Sequence, residues 1–216
     1  MTNPSAKRIY DVMLAALGLL ILSPVLLLIG VLVKLSDGGP VLFLQDRVGR
    51  SGRRFWICKF RTMILGAEKQ GPSITKSGDG RVTTIGRWLR RTKLDELPQL
   101  WNVVRGDMSF VGPRPEVPRY VARYSPAQRE VLRLKPGITD LASLEFRREE
   151  ELLDGVPDPD KFYVEYCLPR KIELNLEYDR RANLWRDTLI ILRTVVPFGS
   201  SKTAAHKGNA VQQQSF

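Results

Sequence analysis

A run of 22 residues without a charge, Val12 to Val33, constrains this chain more than any other feature. As a straight helix at about 1.5 Å per residue it would reach roughly 33 Å, enough to cross a bilayer. No small-x-small cleavage site follows it, so a cleaved signal peptide fits poorly. Ser23-Pro24 stands at its middle, where proline removes a backbone donor and bends a helix. Lys7 and Arg8 precede the run and Lys34 follows it. The positive-inside rule puts the basic region after Lys34 on the cytosolic side, and Lys7 and Arg8 pull the N-terminus to that same side. A re-entrant helix hairpin broken at Ser23-Pro24 satisfies both ends and is favoured over a straight span. Its break must be screened from lipid, because unpaired backbone groups are costly there.

The remainder reads as one folded domain with appendages. Residues 1–36 form the expected membrane anchor, 37–198 a cytosolic domain, and 199–216 a small, polar tail that reads as disordered. The net charge of +11 is unevenly placed. From Lys34 to Lys135 there are 21 basic and 9 acidic residues, against 11 and 13 from Pro136 onward. The first part therefore faces something anionic: phosphates, acidic lipid or nucleic acid. Cys58 and Cys167 make neither a disulfide framework nor a Cys-x-x-Cys pair. The single histidine, His206, lies in the tail, so histidine catalysis and a histidine metal site are not expected.

Periodicity predicts an α/β class, mostly helical with a few short strands. Val41–Gln45 and Phe55–Phe60 read as strands. The loop between them carries Arg47, Arg50, Arg53 and Arg54, as a basic hairpin touching lipid headgroups would. Alternation puts Lys59 and Arg61 on one side of the second strand, where two cations suit a diphosphate or a solvated edge. Residues 68–80 read as a mobile loop. Thr83 or Thr84 caps a helix running through Arg91, and Leu97–Val104 makes a second short helix with Pro98 in its first turn. Ser125–Leu134 reads as a helix, Ile138–Phe146 as a strand and Arg147–Asp160 as a connector. Tyr163–Val196 is mostly helical, and its amphipathic end, from Leu184, suits either core packing or the membrane surface.

Chemistry concentrates where Arg87, Arg90, Arg91 and Lys93 precede the adjacent carboxylates Asp95 and Glu96. Neighbouring residues point in different directions, so the two acids need not share a role. One could attack or hold a metal while the other orients or accepts a proton. The cations favour ionised carboxylates and attract a polyanion. A solvated, mixed-charge helix end is the plain alternative for the pair taken alone. In Pro113-Arg114-Pro115 two prolines fix the backbone around a guanidinium suited to bidentate phosphate binding.

Taken together, these motifs resemble the bacterial sugar transferases called monotopic phosphoglycosyl transferases, from about Lys7 to Val196. The resemblance rests on the basic-flanked apolar segment with Ser23-Pro24, Gln45-x-Arg47-x-Gly49, Lys59-Phe60-Arg61-Thr62-Met63, Arg87 through Lys93, Leu94-Asp95-Glu96-Leu97-Pro98-Gln99-Leu100, Val111-Gly112-Pro113-Arg114-Pro115 and Lys135-Pro136-Gly137-Ile138-Thr139. It implies a re-entrant anchor on the cytoplasmic face of the bacterial inner membrane, with amphipathic interfacial helices. It implies transfer of a sugar phosphate from a UDP-sugar to undecaprenyl phosphate, releasing UMP. Asp95 would be the nucleophile, with Mg2+ beside Asp95 and Glu96, and Lys59, Arg61, Arg90, Arg91 and Arg114 would hold phosphate oxygens. Membrane phospholipids are the implied partners, nucleic acid is not, and a second copy of the chain or downstream glycosyltransferases are further candidates. Many relatives continue Gly-x-x-Gln after the Lys135–Thr139 motif, whereas Asp140 and Ser143 stand here. No further N-terminal transmembrane bundle is seen, as in a minimal form of the family. The rival readings are the same fold acting on another nucleotide-sugar or polyprenyl acceptor, and a non-enzymatic, membrane-anchored basic binding protein.

Overall fold

A computed structural model describes residues 3–67, 70, 78–147, 149–153 and 156–195. Its first element, α1 (Pro4–Asp37), is a 34-residue helix, roughly 51 Å at about 1.5 Å per residue. Asn3 caps it by accepting the Ser5 amide at 2.9 Å, and Pro4 at the first position needs no amide partner. Gly38 ends it in the left-handed conformation at φ 72°, donating its amide to the Lys34 carbonyl at 2.9 Å. Pro24 lies inside this one helix, where two segments separated by a break were expected. Length and composition alone make α1 compatible with a membrane anchor.

The helix has two faces. Asp11, Ala15, Ile29 and Val33 are buried against the rest of the chain, with Leu19, Leu22 and Leu26 packed along the same stripe. That spacing keeps one side inward over the whole length. Leu17, Leu20, Ile21, Leu27, Leu28, Val31 and Leu35 on the other faces are all more than half exposed. Both ends are tied to the same body. Lys7 pairs with Asp187, and Arg8 donates to the Val103 and Val104 carbonyls at 2.6 and 2.8 Å. At the far end Asp37 accepts both terminal nitrogens of Arg61, whose Nε donates to the Pro40 carbonyl at 2.6 Å.

Strands β1 (Leu42–Val48) and β2 (Arg54–Phe60) form an antiparallel hairpin in which Arg47 opposes Phe55 and Gln45 opposes Ile57. One face of the hairpin carries Gln45, Arg47, Ile57 and Lys59. Arg47 is thus a strand residue rather than part of a lipid-facing loop. Helices α2 (Thr84–Thr92) and α3 (Gln99–Arg105) then pack on α1 through Leu89 and Leu100. Thr83 caps α2 by accepting the Gly86 amide at 2.9 Å. Strands β3 (Ser109–Val111) and β4 (Gly137–Thr139) pair in parallel. A Cβ on Gly112 or Gly137 would run into the other loop's backbone, so both positions need glycine.

Short helix α4 (Pro118–Val121) precedes a 3-10 segment at Gln128–Arg133, in place of the helix expected from Ser125. The predicted strand Ile138–Phe146 is only three residues of β4, because Asp140 caps α5 (Leu141–Glu145) and turns the chain into a helix. The connector holds α6 (Glu149–Leu153) and α7 (Pro159–Phe162). After a π turn at Tyr163–Cys167 come α8 (Leu168–Arg180) and α9 (Leu184–Val195). Leu168 and Ile172 of α8 close a core with Tyr120, Tyr124 and Val131. On α9, Asp187 and Ile190 point inward while Trp185, Leu192 and Val195 are exposed. Most of the 68–80 loop and the expected tail lie outside the described residues.

The Arg61–Asp37 pair makes Arg61 a clamp on the end of α1. Arg61 is buried but Asp37 is exposed, so losing the pair and the Pro40 carbonyl bond in Arg61→Ala should lower unfolding stability by about 1–2 kcal/mol. Affinity for the UDP-sugar that the sequence resemblance implies, measured on folded protein, should stay within about twofold of wild type. A normal unfolding midpoint with a weakened UDP-sugar affinity would return Arg61 to the phosphate-binding role that the resemblance implies.

Candidate active site

Helix α2 stops at Thr92 because Lys93 adopts a left-handed conformation at φ 59°, rare for a residue with a side chain. Such a residue costs on the order of 1–3 kcal/mol and persists only where its surroundings hold it. Here Thr92 Oγ1 donates back to the Trp88 and Leu89 carbonyls at 2.9 and 3.1 Å, and the Lys93 amide donates to the Arg90 carbonyl at 3.2 Å. The reversal starts a single turn, Leu94–Glu96, that presents the two carboxylates.

Their surroundings differ. Asp95 is 8% exposed and its Oδ1 has no hydrogen-bond partner. Burial raises its carboxyl above the ordinary range, and the Glu96 charge adds to the effect against Lys59, Lys93 and Arg90. Glu96 faces the cations. Arg114 engages it in bidentate fashion, with Nη1 3.2 Å from Oε2 and Nη2 on Oε1, while Lys59 Nζ donates to Oε1 at 3.1 Å. Burial pulls Glu96 upward too, but Arg114 and Lys59 outweigh it and hold it well below the usual carboxylate range. Adjacent acids are thus driven apart, the arrangement that lets two carboxylates take separate roles.

Among the cations, burial lowers Lys59 to about 8 although the Glu96 charge opposes it. The Glu96 charge instead drives Arg114 upward, outweighing its burial. Of the residues marked in the sequence, Lys59, Asp95, Glu96 and Arg114 are brought together. Arg90 stands nearer the edge, its charge acting on Asp95 while its Nε donates to Thr62 Oγ1 at 2.9 Å. Arg91 is exposed on α2, and Arg61 is taken by Asp37. Ser23 and Pro24 sit on the exposed side of α1, where Ser23 Oγ donates to the Leu20 carbonyl at 2.8 Å.

Two members escaped the sequence reading. Arg47 donates through Nε to Gln45 Oε1 at 3.1 Å and through Nη1 to the Pro115 carbonyl at 2.9 Å. It therefore ties β1 to the Arg114 loop, its charge reaches Lys59, and the Glu116 and Glu96 charges act on it. Gln99, the first residue of α3 and 1% exposed, has an Nε2 with no partner. Buried polar atoms are almost always paired, so an unpaired acceptor on Asp95 and an unpaired donor on Gln99 mark the stretch from Asp95 to Gln99 as one built for something more than packing.

Among the described residues no group of three or more His, Cys, Asp or Glu is placed to hold a metal ion. The dyad nevertheless fits magnesium, which takes one or two carboxylates and completes its shell with water and substrate phosphate. Asp95 Oδ1 is unpartnered and Glu96 Oε2 accepts a single bond from Arg114, so both oxygens keep donor capacity.

A family profile described as bacterial sugar transferase matches residues 2–200. The chain is 37% identical over 195 residues to the UDP-N-acetylgalactosamine-undecaprenyl-phosphate N-acetylgalactosaminephosphotransferase of Aeromonas hydrophila, covering 88% of this chain and 42% of that protein. It is 39% identical over 202 residues to the UDP-glucose:undecaprenyl-phosphate glucose-1-phosphate transferase of Caulobacter vibrioides, covering 88% and 68%. Against the undecaprenyl-phosphate glucose phosphotransferase of Komagataeibacter xylinus it is 39% identical over 208 residues, covering 88% and 35%. The chain thus spans only 35% to 42% of the length of two of these relatives. With nearly its whole length matched, the chain belongs to the bacterial sugar transferase family.

Proposed function

We propose that this chain transfers a sugar 1-phosphate from a UDP-sugar to undecaprenyl phosphate, giving undecaprenyl-diphospho-sugar and UMP. The observation that carries the reading is a buried carboxylate, Asp95, with an unpartnered oxygen, beside a Glu96–Arg114–Lys59 cluster. Its relatives are named for this transfer with different sugars, glucose in some and N-acetylgalactosamine in another, so the names do not fix one donor sugar.

Asp95 attacks the sugar-bearing phosphorus of the donor. The bond from that phosphorus to the bridging oxygen breaks, UMP leaves with the electron pair, and an aspartyl phospho-sugar remains. A phosphate oxygen of the lipid then attacks the same phosphorus and returns the carboxylate to Asp95. Desolvation strengthens Asp95 as a nucleophile once ionised, because no hydrogen bond must be broken at Oδ1. Phosphoryl transfer depends on positioning and charge stabilisation. Arg114 supplies a fork with two parallel donors, Lys59 a point charge, and Arg90 and Lys93 a field directed at the dyad. Magnesium would be held by Asp95 and Glu96 and would neutralise the diphosphate charge. Glu96 keeps Lys59 and Arg114 aimed at that position before substrate arrives.

The acceptor's isoprenoid tail requires access from lipid, and α1 suits that need. We infer that α1 dips into the cytoplasmic leaflet of the bacterial inner membrane as an anchor and does not cross it. The rest of the described chain is then the catalytic domain. Both ends of α1 are held by one body, through Arg8 and through Asp37, and a straight span would separate them by the bilayer. The outer face is apolar around Ser23-Pro24, the position where a re-entrant bend would place its tip. Trp88, Trp101 and Trp185 are each at least half exposed on α2, α3 and α9, which all touch α1. Tryptophan favours the headgroup level, so these helices lie at the interface.

Reconstituted protein tests the chemistry and its placement together. With magnesium and a panel of UDP-sugars, UMP should be released with one or few donors, require undecaprenyl phosphate for turnover, and fall at least about a thousandfold in Asp95→Asn. In the same vesicles, lipids brominated near the headgroup should quench tryptophan more than lipids brominated near the chain end. Retained activity in Asp95→Asn removes the nucleophile assignment, and deeper quenching removes the interfacial placement of α2, α3 and α9.

The two shifted groups also set a pH profile. Asp95 must lose its proton, and burial raises the pH at which it does so, so activity falls as pH drops through a value above the ordinary 3.8. Lys59 must keep its proton, so activity falls again as pH rises through about 8. The profile of kcat/KM, which reports the free enzyme, should be a bell. Lys59→Arg should shift the alkaline limb upward. A flat profile between about pH 7 and 9 would show that Lys59 does not carry the limb.

A further inference from the structure

We propose that Asp140 is a positioning residue for Arg114, acting with Asn175 to fix the arginine's main chain while leaving its guanidinium free to meet the donor diphosphate. The inference rests on the proposed role of Arg114. Asp140 is a carboxylate only 1% exposed, and no lysine or arginine forms an ion pair with it among the described residues. Its bonds are directional. Oδ2 accepts the Arg114 amide at 3.2 Å and Asn175 Nδ2 at 2.8 Å, while Oδ1 accepts the Ser143 amide at the start of α5. One side chain thus joins the end of β4, the first turn of α5, the middle of α8 and the backbone of Arg114.

A buried charge held this way is expensive unless it has a task. A helix cap alone does not need burial, since an exposed serine or aspartate caps as well. Asn175 is 3% exposed and spends its Nδ2 hydrogens on Asp140 and the Lys171 carbonyl, leaving its own Oδ1 without a partner. An unpaired acceptor is tolerated here for the sake of the donor turned to Asp140. The charge also reaches the arginine, since Asp140 ranks with Glu96 and Glu116 among the groups that raise Arg114. Meanwhile Gly137 donates its amide to the Pro113 carbonyl at 3.0 Å and Gly112 donates to Thr139 at 3.1 Å. The two residues before Arg114 are therefore pinned to β4, and Asp140 pins Arg114 itself. Because the hold is on the amide and not on the guanidinium, Arg114 can turn from Glu96 toward a phosphate without moving its own Cα. Preorganisation of this kind lowers the entropy lost when the donor binds.

Asparagine at 140 keeps the shape but turns a donor toward at least one amide now bonded, so the arrangement cannot survive intact. The test is a double-mutant cycle on reconstituted enzyme, with UMP release read against donor concentration for wild type, Asp140→Asn, Arg114→Ala and the double variant. Asp140→Asn should raise donor KM about tenfold with a smaller change in kcat, and should have no further effect once Arg114 is alanine. Additive effects on KM in the double variant would overturn the proposal. An unchanged KM in Arg114→Ala alone would instead overturn the role given to Arg114, a separable result. Should Asp140→Asn fail to fold, Asn175→Ala takes its place in the cycle, because it leaves the Arg114 and Ser143 bonds to Asp140 standing. It should raise KM about threefold, again only while Arg114 is present, and independence from Arg114 would contradict the assignment.

Discussion

Everything near the Leu94–Glu96 turn depends on how Glu96 is neutralised. A carboxylate 13% exposed at its side chain would be intolerable alone, and Arg114 with Lys59 makes it tolerable. That pairing fixes three pieces of chain at once: the turn after α2, strand β2 and the Pro-Arg-Pro loop. It also determines the state of the neighbouring acid. With the cations committed to Glu96, Asp95 is left buried, unpartnered and pushed upward, the condition of a group held in reserve for reaction. Arg47 extends the cluster by bracing the Pro115 carbonyl from β1. The site is thus a lattice of directed charges more than a cavity, as expected where the reaction is dominated by phosphate charge.

The apolar helix α1 is structurally part of the domain that follows it. Its inner stripe completes two core clusters, one with Leu100 and Val103 on α3 and one with Phe60 and Leu89 beside the Leu94–Glu96 turn. Helix α2, whose end presents Asp95 and Glu96, therefore rests on α1. Under the proposed function, a lipid-borne phosphate and a cytosolic nucleotide sugar would meet there without either leaving its own phase. The Arg61–Asp37 clamp and the Arg8 bonds to α3 hold the ends of α1 against this body.

Several elements were legible in the sequence because their signals are local. The Thr83 cap of α2 and the short helix that holds Leu100 each follow from a few neighbouring residues. The dyad and Arg114 stood out because two adjacent acids behind four cations, and an arginine between prolines, are unusual combinations. Strand alternation failed for Arg61 because β2 ends at Phe60, and beyond that point the chain turns toward Asp37. Arg47 looked like one of four loop cations, and only the pairing of the two strands shows that it faces inward. Asp140 looked like an unexplained departure because its partners lie 26 and 35 residues away along the chain. Long-range bonds of that kind leave no local periodic trace.

The central claim is that Asp95 carries the sugar phosphate between donor and acceptor. The most direct measurement is the intact mass of the protein mixed with magnesium and the donor that supports UMP release, with the lipid acceptor withheld. The account predicts an added mass equal to one sugar phosphate, located on Asp95, discharged when undecaprenyl phosphate is supplied and missing in Asp95→Asn. An unmodified wild-type mass while one equivalent of UMP is released, or an adduct that survives the Asp95→Asn substitution, would contradict it.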